Sequence, residues 1–254
     1  MLNPHLLVFD LDGTLAESKQ RMSAQMGDLL AELLQKMPVA IMSGGGWAEF
    51  EKQFFSVVPP DTNLDKLYIF PQNAAQCFVH KNGTWHPQYD NAFTPIERDH
   101  ILQALEEALE ETGLTQPPAS VWGNRIEDRG AEITFSGLGQ EAPTEQKQAW
   151  DPDGTKKRTL QEALIKRLPE FAIGTNSSTS VDITRKGITK AHGIKRLTEM
   201  TGIPIERMLY IGDALDEGGN DASVIDTGVP THAVFAPRET EALIETVLHA
   251  HKRN

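Results

Sequence analysis

The apolar positions of this chain fall into short continuous runs separated by stretches of helical period. His5-Leu6-Leu7-Val8-Phe9 is unbroken and ends at a polar turn containing glycine, the pattern of a strand buried on both faces. Between residues 18 and 36, Met22, Met26, Leu29, Leu30, Leu33 and Leu34 recur at helical spacing, and Pro38 stops the run. Val39-Ala40-Ile41-Met42 predicts a second buried strand, closed by Ser43-Gly44-Gly45-Gly46. Residues 47–55 predict a helix and Leu67-Tyr68-Ile69-Phe70 a third strand, and residues 76–79 with Asn82-Gly83 predict a hairpin. Strands alternating with helices predict an α/β protein with a parallel sheet.

The pattern changes near Asp90. Residues 94–112 predict an amphipathic helix and 130–135 a strand, followed by a glycine-rich stretch to Gly139. Residues 140–157 are polar and poor in strand signal, 160–168 predict a helix, and 171–183 hold strand-like pieces. Then the first pattern returns. Residues 188–200 predict a helix, Met208-Leu209-Tyr210-Ile211 a buried strand ending in Gly212-Asp213, His232-Ala233-Val234-Phe235 another, and 239–251 a closing helix. The expected architecture is a Rossmann-like parallel-sheet core built from residues 1–89 and 185–254, interrupted by an inserted α+β cap at 90–184.

Composition narrows the function. With 254 residues there is room for a large core. The net charge of -12 argues against nucleic acid as partner, since phosphate backbones demand clustered Lys and Arg. It leaves room for one small phosphorylated substrate, which a metal and a few local cations can hold. No apolar run is long enough to span a bilayer, and Met1-Leu2-Asn3-Pro4-His5 shows no basic leader, so neither a membrane anchor nor a signal peptide is expected. The single cysteine, Cys77, fits a reducing cytoplasm and reads as a small core residue.

In open α/β sheets ligands collect at the carboxyl ends of the strands. The polar residues there are Asp10, Asp12 and Thr14; Ser43 with Gly44 and Gly45; Asp213, with Asp216 and Glu217 in the same loop; and Asn220-Asp221. Two aspartates at a buried strand tip are costly unless a cation compensates them. Mg²⁺ suits such a place, since it takes one or two carboxylates and keeps room for a phosphate. Asp10 can bind the metal and attack phosphorus, and Asp12 can serve as general acid and base. Thr14 and the Gly13 backbone shape the turn around a phosphate.

Phe9-Asp10-Leu11-Asp12-Gly13-Thr14-Leu15 resembles the first motif of the haloacid dehalogenase superfamily of phosphotransferases. Ser43 resembles its second motif, a phosphoryl-holding hydroxyl, with Gly44 beside it. Lys190 resembles the third, a lysine that neutralises the phosphoryl group, with Lys186 in reserve. Gly212-Asp213 with Asn220-Asp221 resembles the fourth. The resemblance implies a Mg²⁺ site formed by Asp10, Asp12 and Asp213 and supported by Asn220 and Asp221. It also implies an α+β cap of the type placed between the second and third motifs.

Gly218-Gly219-Asn220-Asp221 and Phe70-Pro71-Gln72-Asn73 are similar to segments of the eukaryotic-type phosphomannomutases. That likeness implies substrate contacts in the cap from Arg129, Lys147, Ser180 and Asp182, and a homodimer through the cap. Two positions that carry arginine in that group hold Gln140 and Lys147 here, and neither offers arginine's planar fork. The expectation is therefore a phosphatase acting on a small phosphorylated metabolite, a sugar phosphate. The alternative is a hexose-phosphate mutase using the same nucleophile.

Overall fold

The structure is a computed structural model that describes residues 4–175 and 178–251. Residues 1–3, the start of the segment in which no leader is read, lie outside the described residues. In chain order, β1 (Leu6–Asp10), α1 (Ala24–Lys36), β2 (Val39–Met42), α2 (Trp47–Phe50), β3 (Leu67–Phe70), β4 (Gln76–Lys81) and β5 (Thr84–Asp90) come first. Next are α3 (Pro95–Glu111), β6 (Ile126–Asp128), β7 (Glu132–Ser136), α4 (Thr144–Trp150), α5 (Thr155–Arg167), β8 (Phe171–Gly174) and β9 (Ser180–Arg185). The chain closes with α6 (Lys190–Thr201), β10 (Met208–Gly212), β11 (Thr231–Ala233) and α7 (Pro237–His251). Two compact units result, one from residues 1–90 and 188–254 and the other from 91–187. Among the described residues no helix is long and apolar enough to cross a membrane.

The first unit holds a seven-stranded sheet in the order β11-β10-β1-β2-β3-β4-β5. The strands from β11 to β3 run parallel, and β4 and β5 add an antiparallel hairpin. Every residue of β1 is buried, because both faces of the strand are covered. Leu7 and Phe9 pack with Ile41, Ile211 and residues of α1 and α7, while Leu6 and Val8 pack with Ala40, Met208 and residues of α6. Each such side chain contributes roughly 1.5–3 kcal/mol relative to exposure. β1 pairs with β2 on one side and with β10 on the other, so the strand order reverses there. The crevice beyond that reversal is the place where such sheets bind ligands.

Several elements differ from the pattern-based expectation, among them β11, which ends at Ala233 and is exposed where 232–235 read as a buried strand. Helix α1 starts at Ala24 rather than at residue 18, because the Ser23 side chain caps it by accepting the Met26 N–H at 2.9 Å. The helix expected over 47–55 is α only to Phe50 and then widens into a π turn, Glu51–Phe55.

In the second unit, an antiparallel sheet has the order β6-β7-β9-β8. Ile133, Phe135, Val181 and Ile183 face α3 and α5 in its apolar core. Alternation along the strands places Glu132, Thr134, Ser136, Ser180 and Asp182 on the other face. Helix α3 is fixed at its start by a capping box between Thr94 and Glu97. Helix α4, in the stretch expected to be irregular, buries none of its residues.

Candidate active site

The site is built at the tips of β1, β2 and β10. After Asp10 the chain turns sharply: Gly13 N–H donates to the Ala16 carbonyl at 2.7 Å, and Lys19 N–H donates to Asp12 Oδ1 at 2.6 Å. Gly13 has φ +81°, and a Cβ there would lie 2.3 Å from Asp213 Oδ2. Only glycine allows both the turn and that approach. Ser43 is buried at the end of β2, where its Oγ accepts the Gly45 N–H at 3.0 Å and keeps its own proton to donate. Gly44 follows it, facing the Asn73 side chain. Behind them Gln72, Asn73 and Ala74 all have positive φ, and the Asn73 N–H donates to the Ser43 carbonyl at 2.8 Å. Three successive left-handed residues mark a strained loop held by its surroundings.

Lys190 arrives from the first turn of α6. Gly193, one turn on, lets that helix lie close to the sheet, since a Cβ would meet Ala74 Cβ at 2.7 Å and Met42 Cε at 2.9 Å. The Lys190 ammonium is fully buried and donates to Asp10 Oδ1 and, at 2.6 Å, to Asp221 Oδ1. Burial works against its charge, but Asp10 and Asp221 outweigh that effect and hold its pKa above the usual lysine value. Asp221 Oδ1 also accepts the buried Tyr210 hydroxyl at 2.5 Å, and Oδ2 accepts the Ala214 N–H at 3.2 Å. Lys186, the reserve lysine, instead donates to the Pro169 carbonyl.

Burial pushes the Asp10 carboxyl from 3.8 up to about 7; Lys190 pulls it down, while Asp221 and Asp213 push it further up. Burial, followed by Asp221, likewise raises Asp213. Asp10 Oδ2 and Thr14 Oγ1 are buried with no hydrogen-bond partner. Carboxylate oxygens of Asp10, Asp213 and Asp221 lie within 4.8 Å of one another. Ionised, these three carry three negative charges against one on Lys190, a deficit that one hard divalent cation makes good. The idle Asp10 Oδ2 and the oxygen-only donor set fit such a cation. Asp12, expected in the metal set, is not one of those three carboxylates, because its side chain is turned to the Lys19 N–H. Asp221 is one of them, yet both of its oxygens are already occupied by protein donors.

The residues expected to meet substrate from the second unit sit in a network of their own. Arg129 donates to Glu127 and Glu132, both at 2.8 Å. The Thr134 hydroxyl reaches Asp182 at 2.8 Å, and Ser180 stands opposite Ser136 in the sheet register. Burial raises the pKa of Glu132, with Asp182 adding to the rise, and burial also raises that of Asp182. Lys147, on α4, donates to the Gln140 carbonyl at 2.9 Å, so the two residues standing where arginines were expected touch one another.

Residues 141–227, which include Lys190, Asp213 and Asp221, match the haloacid dehalogenase-like hydrolase family. Over that stretch the chain is similar to haloacid dehalogenase-like hydrolases. Two similar curated proteins are a probable phosphomannomutase of Caenorhabditis elegans, 26% identical over 96% of this chain and 95% of that protein, and a phosphomannomutase of Encephalitozoon cuniculi, 25% identical over 86% and 83%. Solved structures share the fold. A haloacid dehalogenase-like hydrolase from Bacteroides thetaiotaomicron superposes with TM-score 0.66 at 17% identity, covering 96% of this chain and 98% of that one. A C-terminally truncated IMP-nucleotidase of Plasmodium falciparum superposes with TM-score 0.68 at 18% identity, covering 97% and 71%.

Sequence reasoning passed over Tyr210, which read as one more apolar strand residue. Its hydroxyl was the signal, since a buried phenol needs a partner. The Lys19 N–H carried no signal, because a backbone donor in a left-handed turn residue (φ +60°) has no side-chain signature.

Proposed function

We propose that this haloacid dehalogenase-like enzyme is a Mg²⁺-dependent phosphatase that hydrolyses a small phosphorylated metabolite, a sugar phosphate, through an aspartyl-phosphate on Asp10. The observation that carries this reading is the Asp10 carboxylate, buried, bonded through Oδ1 to Lys190 and idle at Oδ2. A carboxylate kept from water beside an ammonium, with one oxygen unused, suits nucleophilic attack on phosphorus. Asp10 and Asp213 would hold the Mg²⁺, supported by Asn220 and Asp221, while Asp12, expected in that set but turned to the Lys19 N–H, is left for proton transfer; the bound ion would supply charge compensation at the phosphoryl oxygens.

In this reading Lys190, Ser43, Thr14 and the Gly44 backbone hold the phosphoryl oxygens. An Asp10 oxygen forms the bond to phosphorus as the ester bond breaks, and protonated Asp12 gives its proton to the departing alkoxide. Asp12, now a carboxylate, takes a proton from water. The water oxygen then attacks phosphorus, free phosphate leaves, and Asp10 and Asp12 return to their starting states. Arg129, Lys147, Ser180 and Asp182 set substrate choice.

The alternative is a phosphomannomutase-type hexose-phosphate mutase, favoured by the names of the two curated relatives. It shares the first half-reaction and differs only in the acceptor, a sugar hydroxyl in place of water. Hydrolysis is favoured by the pairing of Arg129 with two carboxylates and by Gln140 and Lys147, since a mutase must grip a second phosphate. The deciding experiment incubates the protein and Mg²⁺ with a panel of sugar phosphates. Stoichiometric free phosphate supports the phosphatase. Interconversion of mannose 1- and 6-phosphate with little free phosphate, stimulated by a hexose bisphosphate, replaces it with the mutase. No turnover of any phosphate ester by folded protein refutes both.

A further inference from the structure

Tyr210 lies in the middle of the sheet, on β10, fully buried, two residues before the Gly212-Asp213 turn. Its hydroxyl donates to Asp221 Oδ1, the same oxygen that Lys190 holds. The backbone is shaped for this meeting: a Cβ at Gly212 would lie 2.4 Å from Asp221 Oδ2 and 2.9 Å from Tyr210 Cε1. Three donors therefore converge on Asp221, from Tyr210, Lys190 and Ala214. Asp221 is also close enough to Asp10 and Asp213 to serve as a third carboxylate for a cation. Mg²⁺ takes one or two carboxylates and needs its remaining positions for water and phosphate.

We propose that Tyr210 is a positioning residue that keeps Asp221 off the cation and reserves it as the anchor of Lys190. With Oδ1 shared between the phenol and the ammonium, Asp221 is fixed as a hydrogen-bond hub. Lys190 has three N–H donors, of which Asp10 and Asp221 take two, leaving one to donate to a phosphoryl group. Without the phenol, Asp221 Oδ1, the oxygen it shares with Lys190, gains an unused lone pair close to the other two carboxylates. The cation then acquires a third carboxylate at the expense of a water or a substrate oxygen, and the lysine anchor loosens.

This inference rests on the proposed phosphatase reading, but its main readout is Mg²⁺ binding. Calorimetric titration of Mg²⁺ into wild type and Tyr210→Phe should show the variant binding at least about threefold more tightly, because a carboxylate is added. Its kcat should fall about tenfold with KM little changed, the size expected for one hydrogen bond to a charged group. Loosened packing alone would weaken Mg²⁺ binding, not tighten it. Unchanged or weaker binding by folded Tyr210→Phe overturns the proposal. Asp221→Asn gives a second arm that does not depend on the phenylalanine variant folding. It should weaken Mg²⁺ binding far less than Asp213→Asn, and an equal loss would make Asp221 a ligand and refute the proposal. If no phosphate ester is turned over, the phosphatase reading fails while both binding comparisons still decide the role of Tyr210.

Discussion

Replacing Asp10 by Asn should stabilise the metal-free fold. The carboxyl titrates at about 7 in the folded chain against an ordinary 3.8, chiefly because burial disfavours its charge. The folded state therefore binds more protons than the unfolded state between those values, so stability falls as pH rises from about 4 to about 7 and then levels. At about 1.4 kcal/mol per tenfold in proton affinity, the ionised carboxylate costs roughly 4 kcal/mol above pH 7. Asn is neutral like the protonated carboxyl and removes that cost, which is already net of the attraction of Lys190 for the carboxylate. The net expectation is a gain of up to about 4 kcal/mol at pH 8, shrinking as pH falls and vanishing near pH 4, with activity abolished. Urea unfolding at the two pH values, with and without Mg²⁺, measures it. Mg²⁺ should narrow the gap by stabilising only the wild type. An Asn variant less stable than wild type at pH 8 without Mg²⁺ would refute the idea that this carboxylate strains the fold.

Other tests follow from the same geometry. Mg²⁺ and the proton compete for Asp10, so Mg²⁺ affinity should weaken by up to about tenfold per pH unit below about 7, which calorimetry at several pH values resolves. Gly13→Ala places a side chain in a left-handed conformation, costing about 1–2 kcal/mol, and must displace Asp213, so calorimetry should show weakened Mg²⁺ binding by the folded variant. In the second unit, Thr94→Ala removes the capping box of α3 and should cost about 1 kcal/mol in chemical unfolding. Hydrogen bonds from Arg185, and then from Thr94, hold the Glu97 carboxyl at about 2, below its ordinary 4.5. Its contribution is complete above about 4.5 and is lost as pH falls toward 2, so Glu97→Gln should flatten that part of the acid-unfolding curve.

The core strands were legible because they are buried on both faces and read as unbroken apolar runs, as in residues 6–9 and Val39–Met42. Helix α4 was not, because Thr144–Trp150 buries no side chain and so writes no apolar stripe. At the site, Asp10, Lys190 and Asp213 stood out because charged groups at strand tips and a helix start need a reason to be there. What stayed hidden was orientation. Nothing in Asp-Leu-Asp says that the first carboxylate will keep an idle oxygen while the second turns to a backbone N–H at Lys19. Likewise Arg129 could be marked as a cation, but its pairing with Glu132 depends on a neighbouring position across a turn.

The position of β1 between β2 and β10 also bears on how the protein is made. Leu6 is aligned with Met208, its register partner on the far side of the inserted unit. During synthesis β1 and β2 emerge early, with one edge of β1 and its apolar faces lacking their final cover until β10 is out. Such an edge invites pairing with other chains. The ribosome therefore delivers the nucleophile long before the strand that protects it, and this stretch is where a chaperone would be most needed.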